Sequence, residues 1–145
     1  SLFVTFGSFD LKMLNHTSMY NLYTPKEIVN VIKENTYDLL NFVSCFIRDD
    51  KHNPYSLINY CKLFGIEFEG VAHDPQYDAL NLAYLYDAFL KRKDIVSDEY
   101  AKFLTTMPHS PDPIKEIAKK LLNGEAVTPE EFKERINKYV DDQLS

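Results

Sequence analysis

One helix start in this chain is marked more firmly than any other, at His73-Asp74-Pro75-Gln76-Tyr77-Asp78-Ala79. Aspartate is a preferred N-cap and proline a preferred first helical residue, so a helix is expected to open at Pro75. It should run to about Lys93, with Leu82, Leu85, Tyr86 and Phe89 on its buried side. Asp78 then falls in the first turn, where a rigid element holds its carboxylate and the positive helix end favours it. His73 stays on the preceding loop, just after Gly65-Ile66-Glu67-Phe68-Glu69-Gly70, within reach of whatever Asp78 binds. A carboxylate and an imidazole so placed suit metal-assisted hydrolysis, the first as ligand and the second as proton acceptor from water.

A second carboxylate has a positional reason to join them. Leu2-Phe3-Val4-Thr5-Phe6 is an apolar, β-branched and aromatic run, followed by Gly7-Ser8-Phe9-Asp10-Leu11 and then Met13-Leu14. It reads as a buried strand that delivers Asp10 at its C-terminal end, with a helix over Leu11 to Met19 behind it. In open α/β sheets, ligands gather at the carboxyl ends of strands. Asp10 and Asp78 are therefore the candidate metal ligands, and His73 the candidate catalytic base.

In order along the chain, these segments resemble the DEDDh class of 3′–5′ exonucleases, in the ribonuclease H-like superfamily. That class carries an apolar strand running into an aspartate, matched by Phe3 to Asp10. It also carries His, four residues, then Asp, commonly followed by Ala and a helix, matched by His73 to Ala79. Asp38-Leu39-Leu40 resembles the next strand, and Tyr55 to Ile66 the packing helix. Phe68-Glu69-Gly70 before the histidine and Asp78-Ala79-Leu80-Asn81 after it are most similar to the branch with RNA-trimming members. The resemblance covers about residues 2 to 92. It implies a single-stranded DNA or RNA 3′ end as substrate and two Mg²⁺ or Mn²⁺ ions about 3.5–4 Å apart, held in part by Asp10 and Asp78. His73 would take the proton of the attacking water, and a nucleoside monophosphate would leave.

The family's first motif, Asp-x-Glu on a strand, is missing. It should lie upstream of Asp10, where this chain has nine residues, and Asp98-Glu99 and Glu67-Phe68-Glu69 have the wrong spacing or place. The expectation is the C-terminal portion of an exonuclease, inactive by itself, with an exposed sheet edge or C-terminal helices that support self-association. The fold class expected is α/β: a partial ribonuclease H-like exonuclease fold over residues 1–94, then a helical C-terminal extension over 95–145.

Composition is compatible with this. A chain of 145 residues with 45% apolar residues, ten Tyr and ten Phe can bury a real core. Its net charge of −6 argues against nucleic-acid binding through a broad basic surface, because phosphate neutralisation needs clustered Lys and Arg. Bound cations could still draw in phosphate locally. Cys45 and Cys61 lack metal-ligand spacing and read as reduced core thiols. There is no signal-peptide pattern and no apolar run approaching the ~20 residues that span a bilayer, so no membrane partner and a cytoplasmic location are expected.

Between the two motifs, Thr24-Pro25-Lys26-Glu27 reads as a capping box that opens a helix to about Glu34. Tyr37 to Leu40 reads as a strand, and Asn41 to Ile47 as its extension or a helix start. Arg48 to Pro54 is a solvated loop, and Ser56 caps a helix that stops at Gly65. Beyond Lys91-Arg92-Lys93-Asp94 there is no strand signal. Asp112-Pro113 and Thr128-Pro129-Glu130-Glu131 start two helices, one striped by Ile114, Ile117, Leu121 and Leu122, the other by Phe132, Ile136, Tyr139 and Val140. They should form an αα-hairpin. Asp74 is expected to cap its helix, Asp38 to be structural, and His16, His52 and His109 to titrate at the surface. Two other functions fit parts of the pattern. One is a non-catalytic exonuclease-like module whose hairpin docks a partner. The other is an all-helical metal phosphohydrolase with a His73-Asp74 dyad, which requires further helix-borne His ligands and no strand at residues 2–6.

Overall fold

A computed structural model describes residues 1–21, 23 and 25–145. They are mostly helical, with one small parallel sheet, a mixed α/β arrangement. The chain packs as two compact units. One comprises Ser1–Cys45 and Tyr55–Leu90, the other Phe46–Pro54 and Lys91–Ser145.

In the first unit, β1 (Phe3–Thr5) pairs in parallel with β2 (Thr36–Asp38), Phe3 opposite Thr36 and Thr5 opposite Asp38. The crossover between them contains α1 (Phe9–Tyr20) and α2 (Lys26–Glu34), which pack on each other. Parallel strands cannot be joined by a tight turn, so the intervening helices are what permit this pairing. Both strands are shorter than expected. β1 is not a buried strand either, since Leu2 is 60% and Phe3 39% exposed. Pro25 takes the N-cap position of α2, and the capping box proposed at Thr24 falls outside the described residues.

Leu39 and Leu40, expected to continue the second strand, instead begin α3 (Leu39–Val43). Asp38 is the cause: its carboxylate accepts the Asn41 N–H at 3.2 Å, and a side chain that satisfies an orphan amide starts a helix. Ser56 caps α4 (Leu57–Leu63) by accepting the Asn59 N–H, and Gly65 follows at φ +71°. The left-handed conformation there suits glycine and turns the chain away from the helix. Then comes α5 (Pro75–Lys91). The core of this unit is Val29, Leu39, Val43, Tyr60, Cys61, Phe64 and Leu85. Tyr60 takes Phe6 and Tyr55 edge-on, and Phe89 sits between Phe42 and Phe64 with centroids 5.7 and 6.0 Å away. Of the four apolar residues expected on the buried side of α5, Leu85 is fully buried and Leu82, Tyr86 and Phe89 half so.

The second unit is helical, with α6 (Lys93–Thr106), α7 (Asp112–Leu122) and α8 (Pro129–Leu144). α7 packs on both α6 and α8, so the expected hairpin belongs to a three-helix arrangement. Lys120 and Arg135 both reach Glu131, at 2.6 and 3.0 Å, and Arg135 also reaches Glu116 at 2.8 Å. Phe46–Pro54, although it precedes Lys91 in the chain, packs in this unit. Phe46 meets Tyr100 edge-on, and His52 meets Phe103. His52 is thus a packed, half-buried residue with an enclosed Nδ1, not the surface residue expected. Asp49 ties this segment by accepting the Lys51 and Asn53 amides.

Candidate functional site

The loop between Glu69 and Pro75 is closed by four interactions, and each has a local cause. Asp74 caps α5 as expected, accepting the Gln76 N–H at 3.0 Å, while the Asp78 N–H bonds the Asp74 carbonyl. The Asp78 carboxylate accepts the His73 N–H at 3.3 Å, so the two candidate residues are joined through the histidine backbone. Asn81, one turn further on, has no exposed surface. Its amide donates to the carbonyls of Glu69 (2.9 Å) and Tyr77 (2.8 Å), and its oxygen accepts the Glu69 N–H (3.1 Å). A buried amide with three good bonds is a strong local restraint, because each broken bond would leave a desolvated partner. Finally, the Tyr77 ring lies against Gly70 so closely that any Cβ there would collide with it.

These restraints present His73 at φ +68°, in the left-handed region, with its side chain exposed. A non-glycine residue in that region is strained and persists only where the surroundings over-determine it. Here Asn81 and Asp78 supply that determination; His52, at φ +65°, shares the conformation, so what distinguishes the His73 loop is the exposed imidazole beside Asp78.

Asp10 has a different setting. It lies in the first turn of α1, after Ser8 at the N-cap position, and Ser8 makes no side-chain cap. Its carboxylate is exposed and, among the described residues, receives no hydrogen bond, and α1 buries none of its side chains. The loop before it is anchored elsewhere, by the Gly7 N–H donating to Asp38 Oδ1 at 2.9 Å. Asp38 is therefore structural, as expected: one carboxylate links the end of β1 to the start of α3.

No family model matches the chain, and no curated protein or solved structure is significantly similar to it. The site must be judged on its donors. Asp10 and Asp78 are oxygen ligands of the type that Mg²⁺ or Mn²⁺ takes. Two carboxylates, one already bonded to the His73 amide, do not make a two-ion site. Among the described residues, no group of three or more His, Cys, Asp or Glu side chains is placed to hold a metal ion. Asp10 and Asp78 thus supply at most part of the donor set for the ion pair that the resemblance implies, and none of the chemistry here is routed through it.

The all-helical phosphohydrolase alternative required no strand at residues 2–6, and β1 occupies Phe3–Thr5. No helix among the described residues is long and apolar enough to cross a membrane. Sequence reasoning overlooked Asn81 as a site-building residue. Its signal was a polar side chain on the buried face of α5, one turn from the fully buried Leu85.

Proposed function

We propose that this chain is part of a 3′–5′ exonuclease of the DEDDh class, with a partial ribonuclease H-like fold, acting on the 3′ end of single-stranded DNA or RNA. The observation that carries this reading is the His73 loop, with its exposed imidazole held at a strained backbone position by Asp78 and Asn81. A histidine so placed can accept a proton from a water molecule at the mouth of α5 without any loop rearrangement. Asp78 in the first turn of α5 and Asp10 just beyond β1 would supply two of the carboxylates that hold Mg²⁺ or Mn²⁺. The parallel β1–β2 pair with its helical crossover supports an α/β sheet with its site at the carboxyl edge.

An Asp-x-Glu strand must come from outside these residues, so the 145 residues alone are inactive. Incubated with Mg²⁺ or Mn²⁺, they should leave a 5′-labelled single-stranded oligonucleotide intact. A longer chain that joins an Asp-x-Glu strand to them should shorten it from the 3′ end. In that longer chain, His73→Ala should lower kcat far more than binding. Magnesium-dependent trimming by the 145 residues alone would overturn the assignment. A second reading, an exonuclease-like module without catalysis, is favoured by one feature. Phe132, Val140 and Leu144 of α8 are 43%, 44% and 83% exposed, which leaves an apolar strip for a partner.

A further inference from the structure

Between α1 and α2 lies a cleft of about 470 Å³, open to solvent, with the buried Val29 in its wall. Its polar lining is Lys26, Asn30 and Lys33 from α2 and Asn15 and Ser18 from α1. The α2 residues recur at i, i+4 and i+7, so two ammonium groups and an amide project along one face over two turns. Among the described residues, no carboxylate lines the cleft. Neither lysine forms an ion pair among the described residues, although the chain carries 22 acidic and 16 basic side chains. In a protein of net charge −6, two lysines that line one concavity and form no ion pair among the described residues concentrate positive charge there, although Glu27 and Glu34 adjoin them on the same helix.

We infer that this cleft is a binding site for nucleotide phosphate, lined by residues of α1 and α2 and by none of Asp10, His73 and Asp78. Lys26 and Lys33 supply the charge, and the Asn15 and Asn30 amides supply directed donors. Ser18 already donates to the Asn15 carbonyl, so its hydroxyl oxygen is left as an acceptor. Asp10 is on the same helix as Asn15 and Ser18, about 7–12 Å away along the axis. By helical rotation it points roughly 80–140° away from them. A phosphate held in the cleft is therefore turned away from Asp10, and the cleft is a subsite that grips a strand apart from that carboxylate. The choice of a nucleotide over other phosphates rests on the exonuclease reading; the preference for phosphate does not.

The test uses the ¹⁵N-labelled chain and three probes: inorganic phosphate, a 5′-mononucleotide and a fluorescent single-stranded ten-mer. Phosphate should shift the backbone resonances of residues 15–33 and the side-chain amides of Asn15 and Asn30. The variant Lys26→Gln/Lys33→Gln should bind each probe at least tenfold more weakly, with unchanged circular dichroism. Lys133→Gln, far away in sequence on α8, should change binding less than twofold. For the ten-mer, losing two phosphate contacts should make the slope of log K against log salt shallower by about 1.4. A mononucleotide that binds in the cleft as tightly as the ten-mer overturns the strand-gripping role and leaves a free nucleotide as the occupant. Phosphate shifts scattered over many lysines, or an unchanged affinity in the double variant, overturn the site itself. The exonuclease reading is untouched by either failure, because its own test depends on His73 in a chain that carries the Asp-x-Glu strand.

Discussion

Two helix entrances carry the two candidate ligands, and they are built in opposite ways. At the start of α5, Asp78 is tied to the His73 amide, Asp74 caps the helix, and the fully buried Asn81 clamps Glu69. At the start of α1, Asp10 is exposed on a helix with no side-chain cap and no buried residue. The same residue type in the first turn of a helix is thus fixed in one place and loose in the other. What makes a carboxylate positionally definite is the set of buried groups behind it, not its spacing from a strand or proline. Preorganisation of this kind separates a working site from residues that merely lie near each other.

The sharpest way to break this contrast is Asn81→Leu. It leaves the Glu69 amide and carbonyl without their partner and should cost roughly 2–3 kcal/mol in urea unfolding. Amide exchange over residues 69–74 should rise with it. A loss under 0.5 kcal/mol would mean that the α5 entrance is no more fixed than that of α1. Next in size is Gly70→Ala, which combines a positive φ with a collision against the Tyr77 ring and should cost roughly 1–3 kcal/mol. Adding Tyr77→Ala should recover the part due to the collision, so the double variant must lose less than the two single losses summed.

Cys61 offers a chemical probe of the same entrance, because its thiol packs beneath the Asn81 carbonyl, with Sγ 3.8 Å from the oxygen. Burial pushes its pKa up from 9.0 to about 11. The fold favours the neutral thiol, so this contribution to stability is complete below pH 9 and fades as pH rises through 11. At pH 8, iodoacetamide should label the exposed Cys45 and leave Cys61 protected. Asn81→Leu should speed labelling of Cys61, and Asp10→Asn should leave it unchanged. Equal labelling of both thiols in the unaltered protein would contradict a closed α5 entrance. The smallest effects are those of the carboxylates themselves. Asp78→Asn should cost roughly 0.3–1 kcal/mol through the helix end it neutralises. Asp10→Asn should cost less than about 0.5 kcal/mol by thermal melting, as expected of an exposed position.

Punctuated positions were legible in the sequence. Asp74, Ser56 and Thr128 cap the helices they were expected to cap, and Gly65 turns the chain where expected. These features are local, set by one side chain and an amide two or three residues away. Length and burial of the strands were not legible, because Leu2–Phe6 reads the same whether or not neighbours cover it. Leu39 and Leu40 fit a strand because an apolar run has no period, and it is the Asp38 cap that turns them into helix. Two features depend on long-range partners that no window contains. Asn81 bonds Glu69, twelve residues earlier, and Phe46–Pro54 packs with residues beyond Lys91. Whether Asp10 and Asp78 act together was least legible, since they lie 68 positions apart on helices that no local pattern relates.

The parallel pairing of Phe3 with Thr36 bears on how the first unit comes together in time. Closing a loop of that length costs roughly 3 kcal/mol before any ladder bond is made, and three residues per strand return little. The helices α4 and α5 and the loop between them are joined over shorter separations than the two strands, so they are expected to organise early, with the His73 loop already closed. β1 then docks late and is the first segment to let go when the unit opens. An extra strand laid beside β1 would lengthen its lifetime more than it would raise the stability of α5, and β1 is the step at which a partner segment could control assembly of the site.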